Sequence, residues 1–116
     1  MHCHGKIAKV LDMIAAAGVD GLDPCEAPPG GDIKLSEIKK RIGKNICLFG
    51  NMQLNLLENG SRQEVKKAVI SCMHDAKQNG RYVIMPTASP ITPPLSKKTE
   101  DNYMQFIETA LEFGSY

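Results

Sequence analysis

Short apolar runs alternate with segments of helical periodicity along this chain, and no other feature of the sequence constrains the fold as strongly. Residues 19–23, 45–49 and 81–85 are strand candidates, and residues 45–49 are apolar on both faces, as in a buried strand. Between them, apolar residues recur every three or four positions, which is typical of amphipathic helices. Because strands that alternate with helices are joined by right-handed crossovers, the sequence predicts an α/β fold with parallel strands.

Glycines delimit the first two predicted helices. A helix over residues 6–17 is expected to end at Gly18, and a helix over residues 35–42 is expected to end at Gly43. Glycine readily adopts the left-handed conformation that often follows the last turn of a helix. Both segments therefore have a defined end as well as an apolar face.

The later helices have start signals. Ser61 and Glu64 form a capping box, which predicts a helix that runs to about residue 80. Segments 25–32 and 86–98 are rich in proline or glycine and predict loops. Thr99 is expected to cap a last helix. The residues expected to face inward in that helix are Tyr103, Phe106, Ile107, Ala110 and Leu111.

The composition excludes several classes of function. The formal net charge is +1 and aromatic residues make up 5% of the chain, so we expect no binding to nucleic acid or to an acidic membrane surface. No apolar run approaches the ~18 residues that span a bilayer, and the first residues lack the order of a signal peptide. The cysteines form no CxxC pair, so we expect reduced thiols and a cytoplasmic protein.

The number of strands is too small for a closed parallel fold. The sequence contains three clear strands, and its first residues offer only the tail of a possible fourth. A (β/α)₈ barrel typically needs about 250 residues, roughly twice the length of this chain. A smaller parallel sheet leaves open edges and an uncovered face. We therefore expect the chain to form a homo-oligomer or to pair with a missing half barrel.

Six short motifs occur in an order that matches a known group of barrel enzymes. They are His2-Cys3-His4-Gly5, Ala17-Gly18-Val19-Asp20-Gly21-Leu22, Leu48-Phe49-Gly50-Asn51-Met52, Leu56-Leu57-Glu58-Asn59-Gly60-Ser61, Gly80-Arg81-Tyr82-Val83-Ile84 and Glu100-Asp101-Asn102-Tyr103. Together they resemble the uroporphyrinogen decarboxylase superfamily, which includes corrinoid-linked methyltransferases and to which cobalamin-independent methionine synthases are related. The resemblance implies that residues 1–116 form the C-terminal half of a TIM (β/α)₈ barrel whose N-terminal half is absent.

The chain departs from the pattern of the family in two respects. Decarboxylases of the family hold their substrate with Arg and Asp residues from the half that is absent here. They also carry a His after the last barrel strand, where this chain has residues 85–90. Zinc-dependent methyltransferases place a Cys ligand in the same loop, where Ala88 or a neighbour stands here. We therefore expect this chain alone to be inactive.

His2 and His4 are the strongest candidates for a metal site. Residues two apart on an extended chain point to the same side, so both imidazoles can reach one ion. Glu26 follows the next strand, and related methionine synthases place a zinc-ligand Glu at a similar distance. Such a ligand set with an open position is typical of catalytic zinc, which converts a thiol substrate to a thiolate. We expect zinc and no other cofactor. Cys3 and Cys25 are weaker candidate ligands. The alternative is that the two histidines bind no metal and make only local hydrogen bonds.

Two further residues are candidates for catalytic roles because they end strands at the predicted mouth of the barrel. Asp23 is suited to orient a substrate or a ligand histidine, and its alternative role is to cap a loop turn. Asn51 lines the pocket in the family and follows Gly50, which allows a ligand to approach the backbone; its alternative role is a local Asx turn. Gln53 and residues 87–89 lie at equivalent strand ends.

The sequence leaves three functions open. The favoured one is metal-dependent methyl transfer from a methylated compound to a thiol or a corrinoid, because the set of His2, His4 and Glu26 resembles a metal site. The second is decarboxylation of uroporphyrinogen in porphyrin biosynthesis, which needs no cofactor. The third is a non-catalytic half barrel that folds only by pairing. Metal content distinguishes the first two functions, and mass in solution tests the third.

Overall fold

The chain forms a parallel sheet against which helices pack. A computed structural model describes residues 1–91 and 93–115. Within them, β1 (Gly21–Leu22), β2 (Cys47–Phe49) and β3 (Tyr82–Val83) are arranged in the order β1-β2-β3. Both strand pairs are parallel, as the alternation of strands and helices predicts. The helices are α1 (Leu11–Ala16), α2 (Leu35–Ile42), α3 (Leu54–Asn59), α4 (Arg62–Ala76) and α5 (Lys97–Phe113).

Residues 1–3 add a short strand segment beside β1. His2 forms a parallel bridge with Asp23. The N–H of Cys3 donates to the Asp23 carbonyl at 2.8 Å, and the N–H of Asp23 donates to the Met1 carbonyl at 3.0 Å. The tail of a fourth strand that the sequence predicts is therefore present, and it lies at the edge of the sheet on the side of β1.

The hydrophobic core covers only one face of the sheet. Leu22 and Leu48, which are partners in the register of β1 and β2, are fully buried. Cys47 and Phe49, on either side of Leu48, are only partly buried because successive side chains of a strand point to opposite faces. Core residues on the covered side include Ile7, Leu11, Ile14, Ile38, Ile42 and Cys72.

Helix α4 ends at Ala76 and not near residue 80, and two other helices also differ from the prediction. The first covers Leu11–Ala16 and not 6–17, because residues 8–10 form a turn. Ile7 and Leu11 are both buried, but they lie on either side of that turn. Their four-residue spacing therefore does not come from one continuous helix. Helix α3 was not predicted, since two of its six residues are asparagines, which have low helix propensity.

The capping of α4 is confirmed and that of α5 is not. The Ser61 side chain accepts from the Glu64 N–H, and the Glu64 side chain accepts from the Ser61 N–H. Helix α5 begins two residues before Thr99, so the prediction that Thr99 caps it is wrong. Ser96 is the capping residue, and its hydroxyl accepts from the Thr99 N–H at 3.1 Å.

The predicted inner face of α5 is confirmed in part, since Phe106 is buried and Tyr103 and Ala110 are partly buried against the second core cluster. Ile107 and Leu111, predicted to face inward, are 44% and 75% exposed. The buried residues of α5 are Thr99, Asn102, Phe106 and Thr109. The Asn102 amide donates at 2.9 Å to two carbonyls at the end of α3, which satisfies this polar group inside the protein. These hydrogen bonds place Asn102 in the buried face of α5, where an apolar pattern alone does not predict it.

This order of parallel strands and helices fits part of a (β/α) barrel, in which the helices cover the outer face of the sheet. None of the helices in the described residues is long and apolar enough to cross a membrane.

Candidate functional site

The two candidate metal ligands lie side by side at the carboxyl end of the first strand segment. The ring centroids of His2 and His4 are 4.6 Å apart, and the rings meet edge to face at 77°. Both imidazoles remain about half exposed. The intervening Cys3 packs against the hydrophobic core, so the chain alternates between the two faces of the sheet at this point.

Each imidazole is paired with a carboxylate that follows β1. His2 Nδ1 lies 2.5 Å from Asp23 Oδ2, and His4 Nδ1 lies 3.2 Å from Glu26 Oε1. Since a carboxylate oxygen accepts, the Nδ1 of each ring is the donor. Among residues 1–91 and 93–115, neither ring makes a hydrogen bond through Nε2, the nitrogen that a ligand can then use.

The local backbone brings Glu26 to the histidines. Gly5 has a φ of +84°, and its N–H donates to Glu26 Oε2 at 2.6 Å. Cys25, just before Glu26, has a φ of +54°, which turns the chain after β1. The N–H of Gly5, together with the hydrogen bond from His4, holds the pKa of Glu26 below its ordinary value. The carboxylate is therefore negatively charged at neutral pH.

A cavity of about 480 Å³ lies between the imidazole pair and the loop that follows β3. His2, His4 and Asp23 line one side of it, and residues 85–90 line another. Tyr103 also contributes to the wall, although the sequence indicated only a core residue of α5. The sequence could have predicted this role from the position of Tyr103 near the start of the helix that follows this loop.

Thr87 serves mainly to hold this loop in place. Its N–H donates to the Met52 carbonyl at 2.9 Å, and its hydroxyl accepts from the Leu54 N–H at 3.3 Å. The loop is thereby tied to the end of β2, with Ala88 and Ser89 beside it on the cavity wall. Of the strand-end candidates, residues 87–89 thus lie close to the histidines.

The three proposed ligands do not surround a common point in this conformation. In the part of the chain that the structure describes, no group of three or more His, Cys, Asp and Glu side chains is arranged to hold a metal ion. Both Glu26 oxygens are engaged, one by His4 and the other by the Gly5 N–H. A shared ion would need Glu26 to exchange one of these partners.

Asn51 lies inside the protein and its amide is used there. Its Nδ2 donates to the Cys25 carbonyl at 2.8 Å, and its Oδ1 accepts from the Cys72 thiol at 3.4 Å. Asn51 and Gln53 line a separate cavity of about 220 Å³, which residues of α2, α3 and α4 also line. The structure therefore separates Asn51 from the cavity beside His2 and His4.

Asp23 is the candidate that the structure places against the histidines. One of its oxygens contacts His2, and the other, Oδ1, is buried without a hydrogen-bond partner among the described residues. Cys25, by contrast, is fully buried, and its thiol donates to the Leu22 carbonyl at 3.5 Å. Burial raises the pKa of the Cys25 thiol to about 12, which disfavours the thiolate that metal binding requires.

The fold is a parallel α/β sheet that fits part of a (β/α) barrel, and two imidazoles lie at the carboxyl edge of this sheet. The family model for uroporphyrinogen decarboxylase (URO-D) matches residues 1–112. The chain therefore belongs to the uroporphyrinogen decarboxylase family, as the six motifs indicate. A comparison with curated proteins finds no match.

Proposed function

We propose that this chain contributes a metal-binding half of the active site to a methyltransferase of the uroporphyrinogen decarboxylase family. The observation that carries the proposal is the pairing of His2 with Asp23 and of His4 with Glu26. Metal-binding histidines characteristically donate one ring N–H to a carboxylate, which fixes the ring and leaves the other nitrogen for the metal. Two rings held in this way supply two nitrogen ligands on one side of the cavity.

His2 and His4 would hold the ion through Nε2, since the Nδ1 of each ring faces a carboxylate. Glu26 would supply the third ligand by releasing His4 from its Oε1, while its Oε2 keeps the Gly5 N–H. In that arrangement only His2 stays held by a carboxylate, that of Asp23. The lowered pKa of Glu26 keeps its Oε1 charged and ready to bind. Imidazole and carboxylate ligands together suit zinc, and three protein ligands leave a fourth position for a substrate.

Zinc bound at this site would lower the pKa of a thiol substrate and present it as a thiolate nucleophile. The residues of the chain would bind and orient the reactants. Asp23 fixes the ring of His2 through Nδ1. Met85, Pro86, Ala88 and Pro90 on the cavity wall offer apolar contacts, which suit a methyl group.

Metal analysis of the chain, purified without a histidine tag, tests the proposal. After incubation with zinc and dialysis, the unmodified chain is expected to retain about one zinc ion per chain. His4→Ala removes one ligand and is expected to lose most of the metal. Asp23→Asn leaves both ligands but weakens the hold on His2, so its zinc affinity is expected to fall about 10- to 100-fold.

The matched control is His74→Ala, because His74 is an exposed imidazole on α4 with 88% of its side chain accessible. This variant is expected to bind zinc as the unmodified chain does, and circular dichroism checks that every variant is folded. The proposal fails if the unmodified chain carries no zinc, or if His4→Ala retains as much as His74→Ala.

A further inference from the structure

The cavity of about 220 Å³ that contains Asn51 lies apart from the imidazole pair, and we call it the amide cavity. Its lining residues fall between Ala27 and Asp75, on α2, α3 and α4 and on the segments that follow β1 and β2. Among the described residues, it shares no lining with the cavity beside His2 and His4. The volume corresponds to about seven water molecules, so it can hold only a small ligand.

The side chains around the amide cavity are mainly apolar. Leu35 contributes from the start of α2, Leu56 from α3 and Ala68 from α4, and the segments before the helices add Ala27 and Met52. Apolar walls with a few fixed polar groups are typical of sites for small molecules. The lining therefore suits a ligand with an apolar body.

Asn51 supplies a polar group whose hydrogen-bonding capacity is only partly used. This side chain is 7% exposed. Its Nδ2 donates one N–H to the Cys25 carbonyl at 2.8 Å, and its Oδ1 accepts from the Cys72 thiol at 3.4 Å. A primary amide carries two N–H groups, and the second has no acceptor in the part of the chain that the structure describes. A buried N–H without an acceptor is unfavourable, so this donor favours an acceptor atom inside the cavity.

The charges at the amide cavity balance one another. Among its described lining residues, only Lys34 and Asp75 are charged, and they have opposite signs. An ionised ligand would give up hydration among apolar side chains without a net opposite charge to compensate for the loss. An uncharged ligand avoids this cost.

We propose that the amide cavity binds a small, uncharged molecule that has a compact apolar body and one carbonyl oxygen. The carbonyl oxygen accepts the second N–H of Asn51, and the apolar body packs against Leu35 and Ala68. The hydrogen bond from Asn51 to the Cys25 carbonyl stays in place, so the loop that carries Glu26 need not move. This site is separate from the proposed methyl transfer and needs no metal.

Titration of the ¹⁵N-labelled chain with isobutyramide, followed by NMR, tests the proposal. We expect the side-chain N–H signals of Asn51 to shift and to saturate, together with the backbone N–H signals of Leu56 and Ala68. The chain is kept free of zinc throughout. Failure of this site and failure of the proposed metal site are therefore separate results.

Two further probes test the chemical class of the ligand. Isobutyrate and isobutylamine have the same carbon skeleton as isobutyramide but carry a negative and a positive charge at neutral pH. Each is expected to bind at least about tenfold more weakly, because its charge loses hydration in the cavity. A charged probe that binds as tightly as isobutyramide would show that the cavity selects another class of molecule.

A substitution that fills the cavity tests its location. Ala68→Leu occupies the space of the ligand and is expected to weaken binding at least about tenfold. The control is Ala16→Leu, the same change at an exposed position of α1, with no expected effect. If Ala68→Leu does not fold, the three probes on the unmodified chain decide. The proposal is overturned if the Asn51 side-chain signals show no saturable shift, or if a folded Ala68→Leu binds isobutyramide as Ala16→Leu does.

Discussion

Gly50 occupies the point at which the chain leaves β2. Its φ is +123°, and a Cβ at this position would overlap the Pro24 carbonyl oxygen. The Gly50 N–H donates to the Val83 carbonyl at 3.0 Å, and its own carbonyl accepts from the Tyr82 hydroxyl at 2.5 Å. The backbone is therefore held on both sides and has little freedom to accommodate a side chain.

We expect Gly50→Ala to lower the free energy of unfolding by about 3 kcal/mol or more, because backbone strain and overlap with the loop after β1 both contribute. Gly80→Ala is the matched control: φ is +69° at that position, but a Cβ would meet nothing within 4 Å. The control should cost only about 1–2 kcal/mol. Urea unfolding of the three proteins measures the difference, and equal losses in the two variants would contradict the role given to Gly50.

At the candidate site, a contact between residues close in the chain was predictable from sequence, and contacts between distant residues were not. The proximity of His2 and His4 follows from the two-residue period of an extended chain, which is a local property. The hydrogen bond from Asn51 to the Cys25 carbonyl joins residues 26 positions apart, and no local pattern encodes it. The contact of Asp23 with His2 likewise depends on the register between residues 1–3 and β1, which is set in three dimensions.

At the scale of the element, α4 provides a direct test of the capping box. Ser61→Ala removes the hydroxyl that accepts from the Glu64 N–H and should lower the free energy of unfolding by about 1 kcal/mol. Gln63→Ala, an exposed change in the same turn, should have almost no effect. Thermal unfolding compares the two variants, and an equal shift in Tm would mean that the cap contributes little.

The same cap has a defined dependence on pH. The N–H and hydroxyl of Ser61 hold the pKa of Glu64 below its ordinary value. This contribution to stability is therefore present above the ordinary pKa and is lost as the pH falls through the lowered pKa.

Elements defined by local signals were predicted well, and those that depend on distant partners were not. The three strands, the parallel order and the start of α4 were all evident from apolar runs and the capping box. The inner face of α5 was evident only in part, because the Asn102 amide is also buried, against carbonyls at the end of α3. An apolar pattern places such an amide on the surface, so the inner face was predicted to include Ile107 and Leu111 in place of Asn102 and Thr109.

At the scale of the whole molecule, the open edges and the uncovered face of the sheet follow from how few strands the chain supplies. A parallel sheet needs cover on both faces, and this one has helices on only one. The family match over residues 1–112 agrees with the fold that this reasoning predicts. The sequence could not show which apolar residues of α5 stay exposed, because Ile107 and Leu111 have the spacing of core residues and yet lie on its outer face.

We expect that the 116-residue chain does not decarboxylate uroporphyrinogen, because of the charges that line the cavity. That substrate carries several carboxylates, which need cationic partners to be held and to react. The cavity beside the imidazole pair is lined by no Lys or Arg among the described residues, and Asp23 adds a carboxylate of its own. We expect no product above background when porphyrins are separated by chromatography after anaerobic incubation, with a complete decarboxylase as the positive control. Turnover by this chain would show that it binds the carboxylates by other means, and it would favour decarboxylation over methyl transfer as the function of the site.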